Sequence, residues 1–330
     1  MALTTTDYSD TDFCDTSTFD EPWDLYRWLR DEDPIHRDEK NKLWILSRHE
    51  DVFAISRDPS RYCNRFGVRP NIAADMSLIA MDGEEHTAMR RLINRGFTPR
   101  RVRELVPHVR DITNQVIDEV AERGQIEFIE DFAIHVPLIV ICELMGLDPE
   151  TRKNMYRWSD DMMAGDGAVD DQDPRLHAAA IAFGEYAEVC QDLITARRAD
   201  PTDDLISVLT AAYDDGALEK EKLSGSEVDY EGLGIESMAD DDLQMFLTLL
   251  LVAGNETTRN AIAGGMKVLS EFPEERARLV ENIDDEALVD LAVDEHIPLV
   301  SPGVTLMRTV AETQDYKGVT FEVGVRVFMV

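Results

Sequence analysis

The segment from about 238 to 272 sets the terms for the rest of the chain, because it reads as one helix of some thirty-five residues. At 1.5 Å per residue such a helix is roughly 50 Å long, enough to cross a whole domain. Ser237 and Asp240 to Asp242 place acceptors and negative charge where a helix N-terminus favours them, and Pro273 marks the far end. Its first half, through Leu247-Thr248-Leu249-Leu250-Leu251-Val252, is apolar nearly all round, as in a core helix. The apolar run is too soon interrupted to span a bilayer. A small-residue step, Ala253-Gly254, then leads into the polar cluster Asn255-Glu256-Thr257-Thr258-Arg259-Asn260 while the segment is still helical. Ala253 and Gly254 would let something flat lie against the backbone, and the Thr257 hydroxyl can reach the Ala253 carbonyl one turn back. A helix widened there, beside a carboxyl, suits a small polar guest such as O2 or water. The alternative is a central helix whose Thr and Glu are satisfied internally.

The chain carries 67 acidic against 33 basic residues, a net charge of −34, which argues against nucleic acid or an anionic membrane as principal partner. No stretch reads as a signal peptide or membrane anchor, so a cytoplasmic protein is expected. Cys14, Cys63, Cys142 and Cys190 are scattered without CxxC or zinc-like spacing and read as reduced thiols. Within this acidic background, Arg90, Arg91, Arg95, Arg100, Arg101, Arg103 and Arg110 face a single intervening acid, Glu104. This local reversal of sign suits either an acidic partner or internal pairing.

Along the chain, residues 1–20 read as a loose acidic tail and 21–330 as a single domain. Helices are expected from Pro22, over 49–57, 82–92, 102–122, 137–145, 148–163, 175–198, 201–213, 273–281 and 284–297. Strands are expected at 43–46, 125–129, 306–309, and as a hairpin of 318–321 with 325–330 around Val323-Gly324. The irregular stretch 58–81, the Gly/Asp-rich 164–174 and the charged 214–236 read as loops. His86 and Arg90 stand four apart, on one helical face, where two donors can meet one anionic ligand.

Ala253-Gly254-Asn255-Glu256-Thr257-Thr258 resembles the central-helix signature of the cytochromes P-450, the heme-thiolate monooxygenases, and Arg259-Asn260 is similar to bacterial members that oxidise lipids and steroids. His86-x-x-x-Arg90 and Leu306-Met307-Arg308-Thr309 resemble two further elements of the family. The resemblance implies a mainly α fold with a small β-sheet region and heme as cofactor. It implies His86, Arg90 and Arg308 as contacts of the heme propionates and Ala253 and Gly254 as the wall against the ring. Glu256 and Thr257 become the proton-delivering pair, a positioned acid catalysis. It implies a small hydrophobic substrate, with a ferredoxin or another acidic electron donor docking near Arg90 to Arg110. Residues 58–81 would roof the substrate site, and 164–174 would join two helices of a mobile lid.

Two departures from the family pattern matter. Where the family has Glu-x-x-Arg, this chain has Glu295-His296-Ile297-Pro298, so a buried Glu295 would lack its cation. The cysteine loop Phe-x-x-Gly-x-x-x-Cys-x-Gly, whose thiolate binds the iron, occurs nowhere in these residues, so no metal ligand is assigned. Motif order places the resemblance over the family's N-terminal three quarters. The chain is therefore expected to be a truncated P-450 fold with uncovered apolar surface. The competing expectation is an inactive family member, or a helical lipid-binding module without catalysis.

Overall fold

A computed structural model describes residues 7–69, 78–165, 172–217, 238–301, 303 and 305–330. The chain divides into two compact units, one holding residues 1–90 and 304–330, the other 91–218 and 227–303, so that the long middle of the sequence is an excursion from the first unit.

The first unit is built on a five-stranded sheet. Its elements are α1 (Trp23–Asp31), β1 (Ile35–Asp38), β2 (Leu43–Leu46), α2 (His49–Ser56) and β3 (Tyr62–Cys63), joined from the other end of the chain by β4 (Leu306–Val310), β5 (Gln314–Tyr316), β6 (Val319–Phe321) and β7 (Arg326–Met329). Strand order is β1-β2-β7-β4-β3, with β2 and β7 parallel and the other neighbours antiparallel. β7 takes a central place because Val327, Phe328 and Met329 are all buried, as in a strand covered on both faces. One face packs Leu25 and Leu29 of α1 against Leu43, Ile45, Met307 and Phe328. The other packs Ile55 of α2 with Leu46, Tyr62, Val310 and Phe321.

Two sequence expectations give way here. Residues 7–20 are not a loose tail: Phe13 is fully buried in the first cluster, and Asp12 accepts from Asn41 Nδ2 at 2.7 Å and pairs with Lys40. One aromatic side chain with a core to enter outweighs a polar local composition. The hairpin is also different. β6 pairs back with β5 through the two-residue turn Lys317-Gly318, both with positive φ (48° and 87°), while β7 leaves to enter the main sheet. Positive φ at both central positions is the turn that matches strand twist. Buried Asp51 of α2 anchors this hairpin, accepting from the Tyr316 hydroxyl at 2.6 Å and pairing with Lys317 Nζ at 2.7 Å.

The division between the units falls inside α3 (Gly83–Gly96), after Arg90. The second unit is helical: α4 (Pro99–Val120), α5 (His135–Leu144), α6 (Pro149–Gly165), α7 (Pro174–Ala199), α8 (Leu205–Ala212), α9 (Met238–Glu271), α10 (Pro273–Glu281) and α11 (Glu286–Val300). Starts follow capping rules: Thr98 caps α4 by accepting from Arg101 N, with Pro99 in the first turn, and Asp204 caps α8 by accepting from Ser207 N. The 34-residue α9 is the central helix expected from the sequence, and α5, α6, α7 and α11 pack on it. Its proposed capping residues lie outside the described side chains. Buried Tyr186 of α7 donates to the Leu247 carbonyl of α9 at 3.0 Å. Among the described residues no helix is long and apolar enough to cross a membrane.

Residues 125–129 form no strand. Asp131 holds this stretch as a turn, accepting from Glu127 N and Arg123 Nη1 at 2.8 Å each, and a π-helical turn, Ile129–Ala133, follows. Of the three expected loops, 58–81 contributes strand β3 and a short 3-10 turn at Leu78–Ala80, the stretch 214–236 begins as the π-helical turn Tyr213–Ala217, and residues 70–77, 166–171 and 218–237 lie outside the described chain.

Where α11 crosses α9, Gly264 is the contact: a β-carbon there would lie 2.4 Å from Val300 Cγ1. Gly264→Val is expected to destabilise the protein by about 1–3 kcal/mol through overpacking. Gly184→Ala on α7, where nothing lies within 4 Å, is expected to gain about 0.5–1 kcal/mol. Urea titration of both variants checks the pair; equal midpoints would mean that α11 does not sit on α9 at this point.

Candidate active site

In the second unit, the signature residues of α9 distribute around the helix by their neighbours. Ala253 and Thr257, one turn apart, share an exposed side, and the Thr257 hydroxyl donates to the Ala253 carbonyl at 2.6 Å. The run stays α-helical across this bond, so the hydroxyl engages the carbonyl without opening the helix into another form. Gly254 is turned elsewhere: a β-carbon would lie 3.0 Å from Ile141 Cδ1 of α5, so close helix packing is a sufficient reason for glycine. Asn255 is fully buried and donates to Ser159 Oγ of α6 at 3.1 Å, with its Oδ1 unpartnered.

Glu256 is held by Arg259 one turn along α9, the two side chains being 13% and 15% exposed. Arg259 Nη1 also approaches Asp160 of α6 at 3.9 Å. Burial raises the Glu256 pKa, Arg259 pulls it back and Asp160 pushes it up again. Glu256 Oε1 and Arg259 Nε are buried without a partner. The carboxyl whose pKa burial raises thus stands one residue from the exposed Thr257 hydroxyl. The role of Arg259 was not foreseen, although Glu and Arg at i, i+3 on a helix is a visible pairing signal.

In the first unit, His86 is half-buried on α3 with Arg90 exposed one turn further on, and Arg308 is half-buried on β4. Among the described residues none of the three forms an ion pair. Arg308 Nη1 donates to its neighbour's carbonyl, Met307 O, at 2.9 Å. Burial lowers the Arg308 pKa, and Asp82 only partly offsets this. Asp82 itself is engaged at the β3 end, where its carboxylate accepts from Asn64 N, Asn64 Nδ2 and Arg65 N at 2.9–3.0 Å. Arg308 is thus a half-buried guanidinium without an ion pair among the described residues, and His86 and Arg90 stand one turn apart on α3 of the same unit.

The arginine cluster is mixed. Arg100 pairs with Glu104 and Arg101 with Asp203, whereas Arg91, Arg95, Arg103 and Arg110 are exposed and, among the described residues, unpaired. All four cysteines are free. Burial pushes the Cys142 and Cys190 thiols up to about 12, so neither is a thiolate at neutral pH. Glu295 is exposed, so the loss of its cation at Pro298 carries no burial penalty here, and α11 continues through Pro298 to Val300.

A family model for cytochrome P450 matches residues 36–290. The chain belongs to the cytochrome P450 family. The steroid C26-monooxygenase of Mycolicibacterium smegmatis is 31% identical over 306 residues, covering 93% of this chain and 70% of that protein. The vitamin D(3) 25-hydroxylase of Pseudonocardia autotrophica is 30% identical over 339 residues, 100% of this chain and 77% of its own length. Among solved structures, a Mycobacterium marinum cytochrome P450 in complex with pseudoionone superposes with a TM-score of 0.76 at 27% identity, covering 92% of this chain and 73% of that one. The cytochromes P450 are heme-dependent monooxygenases of hydrophobic substrates that take electrons from a redox partner, and the mainly helical fold with small sheets is theirs. In chemical character the residues present fit that cofactor: cationic side chains without an ion pair among the described residues suit propionates, and, separately, an exposed alanine and threonine on the central helix suit a flat ring.

Proposed function

We propose that this cytochrome P450 inserts one oxygen atom from O2 into a lipid or steroid, with His86, Arg90 and Arg308 holding the heme propionates and Ala253 forming the wall against the ring, while Gly254, turned onto Ile141, serves helix packing instead. Heme, when bound, supplies the iron at which O2 is activated with two electrons from a donor protein. Thr257 holds a proton at Oγ1 on the exposed side of α9, and Glu256 stores the proton that replaces it. Arg259 keeps the Glu256 carboxylate in place, and the raised pKa of Glu256 lets it take up and give back a proton nearer neutrality than an ordinary glutamate. The observation carrying this reading is the Thr257 hydroxyl on the Ala253 carbonyl, on a side of the central helix that is exposed among the described residues. A steroid-like substrate is supported by the activities named for the two relatives.

Titrating the chain with heme and recording the spectrum of the reduced, carbon-monoxide-bound species tests the assignment. One-to-one uptake is expected, and Arg308→Leu should weaken it about 10- to 100-fold, the worth of one hydrogen bond to a charged group. Unchanged affinity in Arg308→Leu would remove that residue from the site.

The electron donor is a ferredoxin or another small acidic protein that meets the exposed Arg91, Arg95, Arg103 and Arg110. Opposite charge speeds encounter and salt screens it. The association rate with an acidic ferredoxin is expected to fall steeply between low and physiological salt, and Arg95→Glu with Arg103→Glu to lower it about tenfold at low salt. A rate indifferent to salt and to both substitutions would place the donor elsewhere.

A further inference from the structure

Two consecutive residues of α6 meet two residues one turn apart on α9. Asn255 Nδ2 donates to Ser159 Oγ at 3.1 Å with both residues fully buried, and this bond fixes one helix against the other. Beside it, Asp160 stands 3.9 Å from Arg259 Nη1. Residues four apart share a helical face, so Asn255 and Arg259 both look toward α6.

Arg259 is thereby placed between two carboxylates. Its Nη2 pairs with the inner one, Glu256, which is 13% exposed, and its Nη1 faces the outer one, Asp160, which is 55% exposed. At 3.9 Å the outer contact is an attraction without a hydrogen bond, and an approach of about 1 Å would complete one. A guanidinium presents five N–H groups in a planar fork, so it can be held from two sides, each carboxylate drawing it from the other. Among the described residues Arg259 Nε and Glu256 Oε1 are buried without partners, so the inner pair leaves capacity unused on both members. Two further groups surround Asp160: Tyr156, one turn earlier on α6, and Glu130 of the π-helical turn, which accepts from the Tyr156 hydroxyl at 3.4 Å. Burial first, then Asp160 and Glu130, push the Tyr156 phenol up while Arg259 pulls it down, so these groups share one field with Arg259 as the cation set among them.

We infer that Asp160 is a positioning residue for the signature carboxyl: it holds Arg259 partly off Glu256, so that the placing of α6 on α9 decides how firmly Glu256 keeps a proton. The inference rests on the reading of Glu256 as a proton store. Two effects of Asp160 act in the same direction. Drawing the guanidinium outward weakens the hold of the cation on the Glu256 carboxylate, and the negative charge of Asp160 itself disfavours a second one nearby. As α6 approaches, Arg259 turns outward and Glu256 takes up a proton. As α6 withdraws, Arg259 returns to Glu256, which passes its proton to Thr257 Oγ1 as that hydroxyl gives up its own.

The test follows the Glu256 carboxyl by carbon NMR of the 330-residue chain labelled in its glutamate carboxyls, the signal being the one that vanishes in Glu256→Gln. Asp160→Asn is expected to lower the titration midpoint and Asp160→Glu to bring it back. Asp161→Asn, at the next position, where Asp161 pairs with Arg157 at 3.6 Å, should leave it unchanged. In an Arg259→Gln background the effect of Asp160→Asn should shrink to about half or less, because only the direct repulsion is left to remove. The urea midpoint of Asp160→Asn should match that of the native protein, since an exposed pair contributes little to stability. A Glu256 midpoint unmoved by Asp160→Asn, or moved as far by Asp161→Asn, overturns the inference. So does a full effect in Arg259→Gln, because Asp160 would then act by its charge alone. These readouts need no heme: failure of heme uptake would sink the proposed function and leave the midpoints as they are, whereas midpoints indifferent to Asp160 sink this inference and leave heme uptake untouched.

Discussion

Phe328→Ala is expected to cost about 3–5 kcal/mol, a large part of the stability of an ordinary domain. Phe328 is 1% exposed in the central strand of the five-stranded sheet, among Phe13, Leu29, Ile45 and Met307, with the Phe19 ring at 6.2 Å. These neighbours come from the N-terminal segment, α1, β2 and β4, so the cavity left by alanine cannot collapse by moving one element alone. Urea unfolding followed by tryptophan fluorescence reads the effect, because Trp23, Trp28 and Trp44 all lie in this unit. A loss below about 1 kcal/mol would mean that β7 does not occupy the centre of the sheet, and the parallel pairing of β2 with β7 would fall with it.

Arg259→Ala should carry a cost that depends on pH. At neutral pH it leaves the Glu256 carboxylate, 13% exposed, without its cation. The penalty has a ceiling, since the carboxyl can escape by holding a proton: at about 1.4 kcal/mol per pH unit above the ordinary glutamate value, that ceiling is about 3.5 kcal/mol at pH 7. The same linkage gives a sign for the native protein. The folded-state pKa of Glu256 lies above the ordinary glutamate value, burial outweighing the attraction of Arg259. Its contribution to stability is therefore complete below the unfolded pKa and is lost as pH rises through the folded one. Compared with Glu256→Gln, which cannot ionise, the native protein should lose stability as pH is raised from about 4.5. In Arg259→Ala the folded pKa moves higher, so the loss grows and extends toward neutrality. Melting temperatures of the three proteins across that range decide the matter. If the native protein instead gains on Glu256→Gln as pH rises, the ion pair outweighs burial, and Glu256 is a fixed anion with no proton to store.

The chain's family could be read from residues because its signatures are local. The run Ala253 to Thr258 sits within two turns of one helix, His86 and Arg90 are one turn apart, and Arg308 lies within the five-residue strand β4, so each resembles a family motif over only a few residues. The same locality explains the recovery of α9 and α10 nearly to the residue, bounded as they are by Pro273 and by a sharp change in composition. What misled was composition without a tertiary partner. Residues 7–20 look like a tail until Phe13 is seen inside the sheet's core, and 125–129 look like a strand until Asp131 is seen to close them as a turn. β6 and β7 are separated by a plausible turn, and nothing local says that β7 would pair with β2, almost the length of the chain away.

The sequence by itself determined which helices form, that the central one carries an alcohol beside a carboxyl, and that the chain belongs with the cytochromes P450, because propensity, capping and motif spacing act over a few residues. Only the tertiary structure decided which way those residues face. Ala253 and Thr257 share the uncovered side, Gly254 is taken up by Ile141, Glu256 is shared with Arg259, and Glu295 is set in solvent where a core position had been expected. The physical reason is that a helix's periodicity fixes the angles between its side chains, whereas the neighbour each one meets depends on how separate elements pack, and that is settled by contacts among residues far apart in the chain.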